Sequence, residues 1–454
     1  IRGFYHKIPS SYVSFFLEDI FQADSFYCQY KSPQKNHMTK HIKSILLVFA
    51  SIIPASQTVM AQNHEIYSDD ISSLKVVADD RWLSLPIIDM NAGETVNISF
   101  DQLSHEYHRY TYKIEHCEAD WSTTTSLFES DFIDGFYNGL VIDNVELSLN
   151  TAQLYTHYSL TIPNKDCRLK ISGNYRLTVM DDNDDSRPVL SVCFMLSERK
   201  MGSSLIVSSN TDIDTYRSHQ QLSATISYNG TTVNDPQRQL KAYILQNNRW
   251  ATLRKLPRPT SQRYDGVAWE HCRDMIYPAT NEYRKFEVLD IHRSSLGIDH
   301  ISFDDPEYHA WLYTDIPRPN YVYDEDANGA FYIRNTDNIA NDTESEYVIC
   351  HFAYKADEPF PGDMFLDGQW TYGRLAPEYA MTYDPLAREY HGAVKLKMGY
   401  YSYQYLLRRP DGSVVTLPAD GNYHETENSY LLLVYFRPVG GRTDLLYSTA
   451  VIGE

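Results

Sequence analysis

Cysteine is scarce in this chain, with six in 454 residues, at positions 28, 117, 167, 193, 272 and 350. No two are spaced Cys-x-x-Cys, so the pattern offers neither a zinc knuckle nor a redox pair. It is also far from the dense disulfide framework of a small secreted scaffold. Mostly free, buried thiols are expected. Basic residues are few: 40 Lys and Arg face 60 Asp and Glu, a net charge of −20. That balance argues against a nucleic-acid partner, whose phosphates need basic patches. Long apolar runs are missing too. The apolar core Ser44 to Ala55 falls short of the ~20 residues of a membrane helix, so no transmembrane segment is expected in a mature chain. No helical period longer than three turns appears after residue 61.

Catalytic signatures are equally absent. There is no Gly-x-Ser-x-Gly elbow, Walker loop, dinucleotide fingerprint or His-Glu-x-x-His motif. Carboxylates are too abundant for a glycosidase pair to be singled out. The acidic run Asp181 to Asp185 places Ser186 and Val192 where a calcium loop needs Gly and Glu. It reads as a solvated turn. His105, His108 and His116 lack the spacing and company of metal ligands. No catalytic residue, metal site or cofactor is predicted.

What is present is aromatic and β-like. Tyrosine alone contributes 37 residues, and its ring suits a pleated, half-buried surface. Alternation marks many short strands. Val96, Ile98 and Phe100 share one face of 95–100, and Tyr110, Tyr112 and Ile114 share one face of 110–116. Turn residues separate these runs at sandwich-like intervals. The expected fold is all-β, with tandem immunoglobulin-like or early-set antiparallel β-sandwich domains. The expected units are 62–198, 199–345 and 346–454. The linker falls in Glu198-Arg199-Lys200-Met201-Gly202-Ser203. The last unit carries Gly362-Asp363-Met364-Phe365, then Met381-Thr382-Tyr383 and Lys397-Met398-Gly399-Tyr400-Tyr401-Ser402-Tyr403. That order resembles early-set modules of carbohydrate-active enzymes over about 90 residues. Tyr401, Tyr403 and Tyr405 lie on one strand face, as a core stripe or as a stacking surface.

The amino-terminal part reads as a targeting segment. Lys40 and Lys43 precede the apolar core, and Val59-Met60-Ala61 puts compact residues before Gln62. Met38 to Ala61 therefore has the form of a secretory signal peptide. On that reading, residues 1–37 are an upstream extension foreign to the native protein.

The stretch Cys117 to Asn164 stands out. Between two strands it carries Trp121, Phe128, Phe132, Phe136 and Tyr137, interleaved with Asp120, Glu129, Asp131 and Asp134. A connection this long and aromatic either covers its own sandwich or presents anchors to a partner. The five aromatics are the candidate partner-binding residues.

The same stretch carries a family resemblance. His116-Cys117-Glu118-Ala119-Asp120-Trp121 is followed by Ser130-Asp131-Phe132-Ile133-Asp134-Gly135-Phe136. Thr156-His157-Tyr158-Ser159-Leu160-Thr161-Ile162-Pro163-Asn164 and Ser172-Gly173-Asn174-Tyr175 complete the set. These motifs resemble the first domain of the type IX secretion system plug proteins of Bacteroidota. The resemblance implies an exported periplasmic protein associated with the outer membrane. It implies a giant outer-membrane β-barrel translocon as partner, whose periplasmic mouth the protein closes by reversible binding without chemistry. The alternatives are a carbohydrate-binding or other envelope-associated β-sandwich protein, and an enzyme of glycan metabolism.

Overall fold

The computed structural model describes residues 63–184 and 187–453. The expected signal peptide and upstream extension lie outside them. Among the described residues, no helix is long and apolar enough to cross a membrane. The described chain is built from mainly antiparallel sheets that form three sandwiches.

In the first sandwich, a six-stranded sheet runs Glu65–Ile66, Arg187–Ser197, Gly173–Asp181, Tyr110–Cys117, Asn138–Val141, with Ile87–Asp89 joined parallel to Arg187–Ser197. A four-stranded sheet of Ile71–Ala78, Val96–Gln102, Thr156–Ile162 and Asn144–Leu147 faces it. The alternating residues expected to point inward do so. Val96, Ile98, Phe100, Tyr110, Tyr112 and Ile114 all join one core. Rings of Phe100 and Tyr158 stack at 5.4 Å within it.

Two strands break the alternation because both of their faces are covered. Arg187–Ser197 sends Leu190, Val192, Phe194 and Leu196 into the first core. Its other face sends Cys193 and Met195 into a separate cluster with the second sandwich. Tyr430–Phe436, an unbroken apolar run, does the same from the other side. Tyr430, Leu432, Val434 and Phe436 fill the second core. Leu431, Leu433 and Tyr435 face the first sandwich. A continuous apolar strand is the sequence mark of burial on two faces.

The partition of the carboxy-terminal part differs from the expected 199–345 and 346–454. The second sandwich pairs Gly202–Ser208, His219–Ser227, Gly266–Trp269, Ser261–Arg263 and Ile276–Pro278 in one sheet. Its other sheet pairs Arg254–Lys255 and Leu240–Gln246 with Tyr430–Phe436 and Leu445–Ile452. The third sandwich is thus inserted between strands of the second. Its ten-stranded sheet begins at Arg284–Val288, and Glu307–Leu312 pairs with Tyr347–Lys355 across the expected boundary. Pairing between strands so distant in the chain leaves no local trace. The Asp-, Asn- and Pro-rich 300–345 region also masks the short strands it holds.

Candidate functional site

The motif at 116–121 closes the end of the Tyr110–Cys117 strand against the second sandwich. His116 is buried, with Nδ1 3.0 Å from Thr124 Oγ1 and Nε2 3.2 Å from the Ser172 carbonyl. A carbonyl only accepts, so Nε2 carries the proton and Nδ1 accepts from Thr124. Burial pushes the ring's pKa down to about 4. Gly173 makes this approach possible: a Cβ there would lie 2.5 Å from Nε2, and its φ is +137°. Glu118 Oε2 accepts from Arg437 Nη2 at 2.5 Å and from the Asp444 amide at 3.0 Å. Asp444 in turn takes Lys241 at 2.6 Å, Arg437 Nε at 2.9 Å and the Ala119 amide at 3.2 Å. Burial acts to raise Asp444, yet Lys241 and Arg437 hold its carboxyl below the usual range. Burial keeps Glu118 raised.

Trp121 completes this joint. Its backbone is left-handed at φ +64°, which aims the ring into the cluster of Tyr243, Leu245, Leu431, Leu433 and Tyr435. It is 1% exposed and meets Trp250 edge to face, with ring centroids 5.8 Å apart. Asn174, from the last motif, donates to the Glu118 carbonyl and accepts from Tyr435 Oη at 2.7 Å.

The third motif faces the third sandwich. His157 Nδ1 lies 2.7 Å from Asp101 Oδ1. Asp101 Oδ2 also takes Lys397 Nζ at 2.6 Å and Tyr347 Oη at 2.7 Å. Both ends of the Lys397–Asp101 pair are 1% exposed. The ammonium stands 4.0 Å over the Tyr155 ring and donates to the Asp342 carbonyl. Burial works against the charge of both groups. It lowers Lys397, while Lys397 and His157 together hold Asp101 below its ordinary value. Asp101 and Lys397 were not singled out from sequence. Lys397 alternates with Val394 and Leu396, which face the third core, so it reads as an outward, solvated lysine and nothing local marks its burial.

The five aromatic candidates separate. After Ser126, whose Oγ donates to the Arg442 carbonyl, a helical turn spans Glu129–Phe132. The Phe128 amide donates to Asp131 Oδ2 at 2.9 Å, and Arg442 Nη2 meets Asp131 at 2.9 Å. Phe132 turns inward, near His116 and Tyr175. Ile133–Gly135 pairs with Cys167–Leu169. Gly135 is required there, since a Cβ would lie 2.2 Å from the Asp166 carbonyl oxygen at φ +108°. Tyr137 packs half-buried against the first core. Phe128 and Phe136 remain in water, 72% and 66% exposed. Of the two roles left open for the five, Trp121 and Phe132 take up packing and Tyr137 is half-buried, while Phe128 and Phe136 stay exposed. A hydrophobic residue in a loop reads alike in sequence whether it points in or out.

The other singled-out residues have structural partners. His105 meets Ser148 and His108 meets Asp181. Tyr401, Tyr403 and Tyr405 are 2%, 3% and 1% exposed, so they form a core stripe and offer no stacking surface. The five described cysteines are free and buried.

The chain is therefore an all-β protein of three interlocked sandwiches, in which the motif residues of the first join it to the other two. A family model described as "Type 9 secretion system plug protein 1st domain" matches residues 71–198. The chain belongs to the type IX secretion system plug protein family. No curated protein matches it. Among solved structures, it is similar to a hypothetical protein from Parabacteroides merdae ATCC 43184, whose crystal structure was determined at 2.30 Å. The two are 35% identical with a TM-score of 0.82, over 86% of this chain and 98% of that one.

Proposed function

We propose that this protein binds and closes the periplasmic opening of a giant outer-membrane β-barrel translocon of the type IX secretion system. The action is steric and reversible, with no bond made or broken. Family membership carries the reading. Its contact surface, on this proposal, includes Phe128 and Phe136, the two motif-region aromatics that the fold leaves exposed. Exposed aromatics on a rigid support are the usual anchors of a protein interface. The support here is fixed by the Asp131–Arg442 pair and the Ile133–Gly135 pairing. Val439, 79% exposed, lies on the same 437–444 loop as Arg442.

The test is affinity capture from outer-membrane extracts with the tagged chain. A very large barrel protein in the eluate, lost with Phe128→Ala plus Phe136→Ala in a chain of unchanged melting temperature, supports the proposal. Failure to capture any barrel protein, or capture of glycan instead, sinks it.

A further inference from the structure

The third sandwich ends in an open edge. Its ten-stranded sheet terminates at Ile298–Asp304, which among the described residues pairs only with Glu307–Leu312. Among the described residues, no other segment's backbone reaches His300–Asp304 through a hydrogen bond. Such an edge presents unpaired N–H and C=O groups, a template for another strand, and folds normally cover it. Here nearly every side chain from Asp299 to Asp304 is exposed, with Ile301 alone half-buried.

Two aromatic groups flank the edge. Phe303 is 54% exposed, its ring 4.7 Å from Tyr308 on the neighbouring strand. Elsewhere His300 and Trp311 of this hairpin stack in a row with His351 of Tyr347–Lys355, at centroid distances of 5.8 and 3.8 Å. Trp311 stays 40% exposed. The charge along the edge has one sign. Asp299 is matched only by its neighbour His300, and Glu307 is taken by Lys395. Asp304 and Asp305 make no ion pair among the described residues.

We propose that this edge docks an extended, basic strand of a protein partner, which adds to the sheet as a further strand. Backbone pairing supplies the affinity, and alternate side chains supply the choice of partner. A Lys or Arg of the incoming strand meets Asp304 on one face, near Asp305 of the turn, and the adjacent apolar residue, on the other face, covers Phe303. The inference goes beyond the plug reading, because it stands on the edge itself whatever protein supplies the strand.

The experiment titrates the purified protein with a synthetic octapeptide of alternating Lys and Val, read by amide hydrogen exchange. A Glu-Val octapeptide and a proline-interrupted Lys-Val octapeptide serve as controls. The Lys-Val peptide slows exchange across 299–304 by about tenfold or more, and the controls do not. Asp304→Lys with Asp305→Lys abolishes the protection at an unchanged melting temperature, and Phe303→Ser weakens it. No protection at 299–304, or equal protection by the Glu-Val peptide, overturns the proposal. If it is overturned while the chain still captures a barrel protein, the plug reading stands alone. If protection is seen but no barrel protein is captured, the edge site stands and the plug reading falls.

Discussion

The first sandwich meets its two neighbours through opposite chemistry. Toward the second, it lays one sheet face on another. Cys117, Ala119, Trp121, Cys193 and Met195 press on Tyr243, Leu245, Leu431, Leu433 and Tyr435. Polar residues ring that cluster, with Glu118, Arg437 and Asp444 at one margin. Toward the third, the centre is itself charged. Lys397 and Asp101 are buried together, with His157 and Tyr347 completing the carboxylate's partners. An apolar joint gains stability from area removed from water and tolerates small shifts. A buried ion pair adds little net stability but penalises any arrangement that leaves one charge alone. The first joint therefore supplies adhesion, and the second supplies register.

The largest test of this contrast is Trp121→Ala. It empties a site walled by Trp250, and the expected loss is about 3–5 kcal/mol by chemical denaturation. A loss under about 1 kcal/mol would show that the apolar joint is loose. Next comes Lys397→Met, which strands Asp101 and is expected to cost about 3 kcal/mol. Adding Asp101→Asn is expected to recover most of that. If the double variant is no better than the single one, the charge account of this joint is wrong.

Acid should separate the two joints by pH. His64, whose Nδ1 accepts from the Cys193 amide at 3.2 Å, and His116 are both held down to about 4 by burial, from an ordinary 6.5. The unfolded chain therefore binds more protons between pH 6.5 and 4. Their contribution is complete above pH 6.5 and drains as the pH falls toward 4, by about 2 kcal/mol or more in all. Asp101 is also displaced downward, below 3.8, because the raising effect of its burial is outweighed by Lys397 and His157. Its contribution persists above 3.8 and is lost only below. Denaturation midpoints at pH 7, 5 and 3 check this. A flat profile from 7 to 4.5 would contradict histidines held neutral in the fold. The smallest stability effect belongs to Phe128→Ala and Phe136→Ala, each within about 0.5 kcal/mol because the rings are exposed. A larger loss would move them into the packing class with Phe132.

Much of this was legible beforehand, and the remainder was hidden for physical reasons. Alternation exposed Val96-Ile98-Phe100 and Tyr110-Tyr112-Ile114 as inward faces, because a sheet with one wet side writes a period of two. The motif at 116–121 stood out, but its role did not. Glu118 and Trp121 act through Arg437, Asp444 and Trp250, residues far along the chain whose proximity no local pattern records. Tyr430–Phe436 was readable as a buried strand. Leu240–Gln246 reads as a strand too, but the pairing of the two is not legible, and the insertion is missed with it. Phe128 and Phe132 differ in one helical turn's orientation, which composition cannot encode.

That insertion has a consequence for assembly order. Two of the four strands in one sheet of the second sandwich, Tyr430–Phe436 and Leu445–Ile452, follow the whole third sandwich in the chain. Leu240–Gln246 gains its main neighbour only once Tyr430 to Phe436 has been made and delivered. Until then, Leu245 and Ile244 lie bare on opposite faces, and Trp121 has half a socket. This strand pair thus works as a latch thrown after the third sandwich, and a chain clipped before residue 430 forfeits the second sandwich and the seat of the first together.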